Sequence, residues 1–164
     1  MSFNLKYSSL DGRLGLKVTQ NMVVRIQQQV IRDWPNETGG ILVGFYTESL
    51  DCAVVTEICD TSKDSAPNLR RFTSNPIGIA KMLSDVWLRT DGGEYYIGEW
   101  HSHPGNSPLP SNLDDDTMHD ISKNDGVNAP QPILLIAGYS AIKHEDFAAY
   151  VYSDGFRIDL VGVA

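Results

Sequence analysis

The chain has 164 residues, 41% hydrophobic and 21% charged, an ordinary balance for a globular protein. A chain of that length buries about 70% of its unfolded surface, enough for one self-sufficient core, so a single domain over residues 1–164 is expected. Thirteen Lys+Arg against 21 Asp+Glu give a net charge of −8, and the absence of any basic run disfavours a nucleic-acid partner.

Met1–Asn21 lacks the charged, apolar, then small pattern of a signal peptide. No stretch approaches the ~20 apolar residues of a membrane span, so no membrane association is expected. Cys52 and Cys59 are seven apart, on opposite faces of a regular strand. A disulfide framework is therefore not expected, a cysteine metal site has no partners, and a reducing cytoplasm is the simplest location.

In chain order, Leu14, Leu16 and Val18 mark a short strand, and Thr19 stands where it can cap a helix running to about Asp33. Met22, Val23, Ile26 and Val30, with Trp34, fall at helical spacing and read as a core stripe; Gln27, Gln28 and Gln29 stay outside. Pro35 ends that helix and leaves Glu37 in the connection to the next strand. Ile41–Tyr46 is the continuous apolar run of a strand buried on both faces, and Ala53–Ile58 is its hairpin neighbour.

Thr61–Asn75 is polar, contains Pro67 and reads as a loop with a brief strand near Arg71 and Phe72. Asn75-Pro76 is a helix start, a cap followed by proline at the first position. That helix should present Ile79, Met82, Leu83, Val86 and Trp87 on one face and stop at Gly92-Gly93. A strand through Tyr95–His103, a helix from Ser111 to about Lys123 and a polar loop over Asn124–Gln131 follow. Three strands close the chain, Ile133–Tyr139, Phe147–Tyr152 and Phe156–Leu160, the last two joined by the hairpin signal Asp154-Gly155. The order β-α-β-β-α-β-α-β-β-β gives an α/β domain of the α+β kind, with a mixed, mainly antiparallel sheet flanked by helices.

The chemistry concentrates in Gly98–Asp116, GEWHSHPGNSPLPSNLDDD. On a strand alternate side chains share a face, so His101 and His103 point the same way and Trp100 and Ser102 point opposite. His-x-His, ten residues, then Asp114 supplies a donor set suited to Zn²⁺ with a fourth position for water. A single histidine is more often structural than a ligand. Ser111 and Asp114 also read as a helix start, an N-cap followed three residues later by an acid. Both readings hold together, since a helix start also fixes where Asp114 points. Asp115 and Asp116 read as first-turn acids rather than ligands.

Glu37, then His101-Ser102-His103-Pro104, then Ser111-x-x-Asp114 resembles the signature of the JAMM (MPN+, Mov34/Pad1-like) zinc metalloproteases of bacterial type, over roughly Leu14–Leu160. Glu99 departs from the eukaryotic form of the pattern, in which an aromatic usually precedes Trp100, and adds a carboxylate on the histidines' face. The resemblance implies a cytidine-deaminase-like fold and one metalloprotease domain. It implies Zn²⁺ held by His101, His103 and Asp114, with Glu37 as general base and Ser111 stabilising the oxyanion. It further implies hydrolysis after the C-terminus of a ubiquitin-like or conjugated protein. A compact stand-alone domain is most similar to the deconjugating peptidases that accompany cGAS-like nucleotidyltransferases in antiphage operons. A nucleotidyltransferase and an E1/E2-like conjugating enzyme are the partners that likeness implies. The alternatives are a catalytically inactive MPN scaffold and a general small-peptide metallohydrolase. A nucleobase deaminase does not fit, because H-x-E and P-C-x-x-C are both missing.

Overall fold

The computed structural model describes residues 3–49, 51–60, 76–129 and 131–164. Its elements are β1 (Phe3–Ser8), β2 (Gly15–Thr19), α1 (Gln20–Asp33), β3 (Gly39–Tyr46), β4 (Cys52–Asp60), α2 (Pro76–Arg89), β5 (Tyr95–Pro104), α3 (Asn112–Ser122), β6 (Ile133–Tyr139), β7 (Phe147–Ser153) and β8 (Phe156–Gly162). The polar loop expected over Thr61–Asn75, including Arg70, Arg71 and the cap Asn75, lies outside the described residues.

The strands run in the order β1-β2-β4-β3-β5-β6-β7-β8, with a short β1–β8 pairing at Tyr7 and Ser8. Among the described residues only β2–β4 and β5–β6 pair in parallel, so the sheet is mixed and mainly antiparallel, as expected. β1 is the element the sequence reading passed over. Its alternation of Phe3, Leu5 and Tyr7 with Asn4, Lys6 and Ser8 is a strand signal, and β1 pairs antiparallel with β2.

Two apolar layers fill the two sides of the sheet. On one side Met22, Val23, Ile26 and Val30 of α1 pack with Leu16, Leu42, Ile97, Trp100 and Leu135. Burying a side chain such as Ile26 contributes roughly 1.5–3 kcal/mol, which is what holds α1 in place. Thr19 occupies the N-cap with extended backbone, yet its side chain makes no capping bond. Packing rather than capping therefore sets this helix. Trp34, expected on the buried stripe, is 50% exposed because it lies beyond the last helical turn.

On the other side Ile79 and Val86 of α2 and Met118 and Ile121 of α3 cover Ile41, Val43, Tyr96, Leu134, Ile136 and Tyr150. Trp87, expected on this face, is 54% exposed. Its ring lies over Gly92 instead, where a Cβ would meet Cζ2 at 2.9 Å and φ is +75°. Glycine there ends α2 and makes room for the indole. The closing hairpin turns at Asp154 (φ 52°) and Gly155 (φ 80°), as the dipeptide signalled. Both cysteines are free and partly buried. No helix among the described residues is long and apolar enough to cross a membrane.

Candidate metal centre

His101 and His103 stand near the C-terminal end of β5, opposite Gly39 of β3 and Ile136 and Gly138 of β6. Trp100 packs on the α1 side, so both imidazoles project to the α2/α3 side. Their Nε2 atoms are 3.0 Å apart. The Nδ1 of His103 is 3.2 Å from the Ser107 carbonyl oxygen, to which it donates; that bond leaves the Nε2 lone pair facing His101.

Asp114 reaches them from the first turn of α3 and is fully buried. Ser111 and Asp114 form a complete capping box. The Ser111 amide donates to Asp114 Oδ2 at 2.7 Å, and the Asp114 amide donates to Ser111 Oγ at 3.2 Å. The cap and the ligand arrangement are thus the same bonds. Asp114 Oδ1 lies 3.5 Å from His101 Nε2, and Oδ2 lies 3.6 Å from His103 Nε2. These are charge pairs rather than formed hydrogen bonds, and Oδ1 accepts none among the described residues. Burial alone would raise the Asp114 carboxyl, but the two facing imidazoles outweigh it and hold it well below the usual range. Asp114 in turn raises His103 above its ordinary value; burial opposes this, and the Ser107 carbonyl and the Glu37 charge add to it.

The three residues offer one donor atom each, all within 4.8 Å of one another. Ligands on a tetrahedral ion at 2.0–2.1 Å stand about 3.3 Å apart. The two imidazole nitrogens, 3.0 Å apart, stand near that spacing, and each has one Asp114 oxygen within 3.5–3.6 Å. With an unmatched buried carboxylate oxygen and nitrogen–oxygen donors, the site fits a borderline divalent metal.

Glu37 is exposed beside this centre, and the structure explains how so distant a residue arrives there. Thr38 donates its amide to Ser102 Oγ at 3.0 Å, and Ser102 donates its amide to the Thr38 carbonyl at 2.8 Å. The residue between the two histidines therefore fastens the segment carrying Glu37. Ser102 turns away from the metal side as expected, but its part in fixing Glu37 has no sequence signal. His101, His103 and Asp114 come together with Ser111, and Glu37 lies within electrostatic reach of His103. Glu99 is buried on the histidines' face of β5, where it raises the phenol of Tyr96, itself raised chiefly by burial.

The loop joining His103 to Ser111 is pinned from below. Gly105 donates to the Tyr139 carbonyl (3.1 Å), Tyr139 donates to the Asn106 carbonyl (2.7 Å), and Tyr150 donates its hydroxyl to the Pro108 carbonyl (2.8 Å). Asp115 takes no part in the centre: Tyr152 and Arg157 hold its carboxylate at 2.6 and 2.9 Å. Asp116 is exposed. Gln131, at the end of the second polar loop, lies at the other end of the sheet. Gln131 precedes Ile133, which pairs with Gly98 at the far end of β5 from His103. There it borders a cavity of about 790 Å³ with Tyr46, Trp87 and Tyr95, which gathers no set of metal-ligating side chains.

Comparison with known proteins agrees with this geometry. A CD-NTase/cGAS isopeptidase of Enterobacter hormaechei subsp. hoffmannii is 30% identical over 135 residues, covering 82% of this chain and 73% of that protein. A probable metalloprotease of Sinorhizobium fredii, y4qB, is 25% identical over 101 residues, 61% of each chain. A Desulfitobacterium hafniense protein solved in solution shares the fold, with a TM-score of 0.56 at 18% identity over 89% of this chain and 88% of that one. The family model of prokaryotic homologs of the JAB domain matches residues 19–150, and the chain belongs to that family.

Proposed function

We propose that the protein is a zinc-dependent isopeptidase that hydrolyses the amide after the C-terminus of a conjugated or ubiquitin-like protein. The observation that carries this reading is the buried His101–His103–Asp114 set with the exposed Glu37 fastened beside it through Thr38 and Ser102. Bound zinc would supply a Lewis acid for the scissile carbonyl and bring the pKa of water down to about 7.

The chain's own residues supply the rest. Glu37, exposed and not among the three donors, accepts the proton of the attacking water and returns it to the leaving amine. The Ser111 hydroxyl uses a lone pair for the Asp114 amide, so its proton stays available to the developing oxyanion. The Ser107 carbonyl fixes the His103 ring, and the capping box fixes Asp114, so neither has to be ordered during the reaction. Relatives are named CD-NTase/cGAS isopeptidases, which supports a nucleotidyltransferase as the conjugated substrate; we further propose an E1/E2-like conjugating enzyme and a cytoplasmic antiphage setting.

The test uses a CD-NTase-type nucleotidyltransferase whose C-terminal residue is joined through an amide to a reporter protein. Cleavage at that residue, abolished by chelator and restored by zinc, is expected. Glu37→Gln should be inert while keeping its zinc, because a general base is not a ligand. Loss of zinc in Glu37→Gln would overturn the assignment. An intact fusion alongside free cutting of unrelated short peptides would make the protein a general peptidase, and no cleavage of either would leave a binding scaffold.

A further inference from the structure

We infer that Arg157 of β8 is a positioning residue that selects Asp114, and not Asp115, as the carboxylate of the metal centre. This rests on the metal-centre reading above. The first turn of α3 offers two adjacent acids, and a step along a helix turns the side chain by about 100°. Either could be drawn toward the two imidazoles. Arg157 prevents this by taking Asp115 with both carboxylate oxygens on Nη1, at 2.9 and 3.2 Å, while the Tyr152 hydroxyl donates to the same carboxylate at 2.6 Å.

Arg157 is itself held in place. Its Nε donates to Asp159 at 2.9 Å, and its guanidinium lies 5.4 Å from the ring centroid of Tyr150. The Tyr150 hydroxyl bonds the Pro108 carbonyl, in the loop whose Ser107 carbonyl orients His103. One side chain on β8 thus holds Asp115 on the helix that brings Asp114, and packs on Tyr150, whose hydroxyl bonds the loop that aims His103. An ordinary surface ion pair contributes little to stability. This one shares Nη1 between both carboxylate oxygens, is backed by a ring and a phenol, and acts on where the neighbouring carboxylate points.

The test compares the full-length protein with Arg157→Met, Arg157→Lys, Tyr152→Phe and Asp159→Asn. Zinc affinity is read by competition with a chromophoric chelator. Amide hydrogen exchange across residues 112–116 is read on the metal-free protein. Arg157→Met should bind zinc 10–100-fold more weakly and exchange faster in that turn, with β3 unchanged. Arg157→Lys, which keeps the charge, should recover part of the affinity. Asp159→Asn, which weakens the hold on Arg157 but leaves its Asp115 contacts, should lose less affinity than Arg157→Met. If Arg157→Met fails to fold, Tyr152→Phe, which removes one hydroxyl and keeps the ring, should still lose affinity about tenfold. Wild-type zinc binding and unaltered exchange in both Arg157→Met and Tyr152→Phe, with only the melting temperature lowered, would overturn the inference. A wild type that binds no zinc, with exchange still accelerated in Arg157→Met, refutes the metal reading and supports the positioning role.

Discussion

Gly138→Ala tests whether the metal centre depends on the loop crossing β6. A Cβ at residue 138 would stand 2.7 Å from the Asn106 carbonyl oxygen, the Pro108 nitrogen and Pro108 Cδ. All three are backbone or ring atoms, so no side chain can swing aside. Reaching ordinary contact at about 3.4 Å requires the loop to lift by roughly 0.7 Å. The bond from the Tyr139 amide to the Asn106 carbonyl, now 2.7 Å, should lengthen, and the Ser107 carbonyl should draw away from His103. Residue 138 has no left-handed backbone, so alanine alone would stabilise by about 0.4–1 kcal/mol through the unfolded chain. Overpacking costs about 1–3 kcal/mol and wins, giving a net loss of about 1–2 kcal/mol. Zinc affinity should fall more than stability does, by about tenfold or more, because the lost bond orients a ligand. Gly162→Ala, where a Cβ meets nothing within 4 Å, is the control and should gain about 0.4–1 kcal/mol with zinc affinity unchanged. Urea unfolding and chelator competition on both variants decide the matter. A Gly138→Ala protein that holds zinc like wild type would refute the claim that this crossing aims His103.

Ser111→Asp separates capping from catalysis: aspartate still caps α3 but donates nothing to an oxyanion, so a stable, zinc-loaded variant with kcat down about 10²–10³ is expected. Near-normal kcat would reduce Ser111 to a cap. Metal-free melting temperature should peak between about pH 4 and 6.5. His103, raised, contributes fully below its ordinary 6.5 and loses that contribution as pH rises through its folded value. Asp114, lowered, contributes above its ordinary 3.8 and loses that contribution as pH falls through its folded value. His103→Gln should flatten the upper limb; an unchanged profile would contradict the pairing. Burial, aided by Glu57, pushes the Cys59 thiol up to about 11, so a disulfide reagent at pH 8 should modify the folded protein slowly and the unfolded protein fast. Equal rates would refute that placement.

What the sequence disclosed and what it hid follow from the range of each signal. Helical stripes, apolar runs and the Asp154-Gly155 turn are local, and they located ten of the eleven helices and strands the structure describes. His-x-His and Ser-x-x-Asp are local as well, because a strand period and a helix cap fix their directions within four residues. The hidden parts are long-range. Ser102 with Thr38, Tyr150 with Pro108 and Arg157 with Asp115 join residues 64, 42 and 42 positions apart. Nothing in the spacing of a serine or an arginine announces such a bond. Trp34 and Trp87 carry the helical phase of the core, but Trp34 lies just beyond the end of α1 and the Trp87 ring packs on Gly92 of the turn after α2.

A fully buried carboxylate such as Asp114 is costly unless charges and donors meet it. The Ser111 amide meets Oδ2, the positive end of α3 lies beneath it, and the two imidazoles face it within 3.5–3.6 Å. Without metal, Asp114 raises His103, which favours the charged ring that offsets the carboxylate. Metal and proton then compete for one lone pair, so loading should release a proton and tighten as pH rises. The centre is built before any metal arrives, because the capping box would hold Asp114 in the same place with either occupant. Its remaining freedom is sideways, toward Asp115, and Arg157 closes that direction.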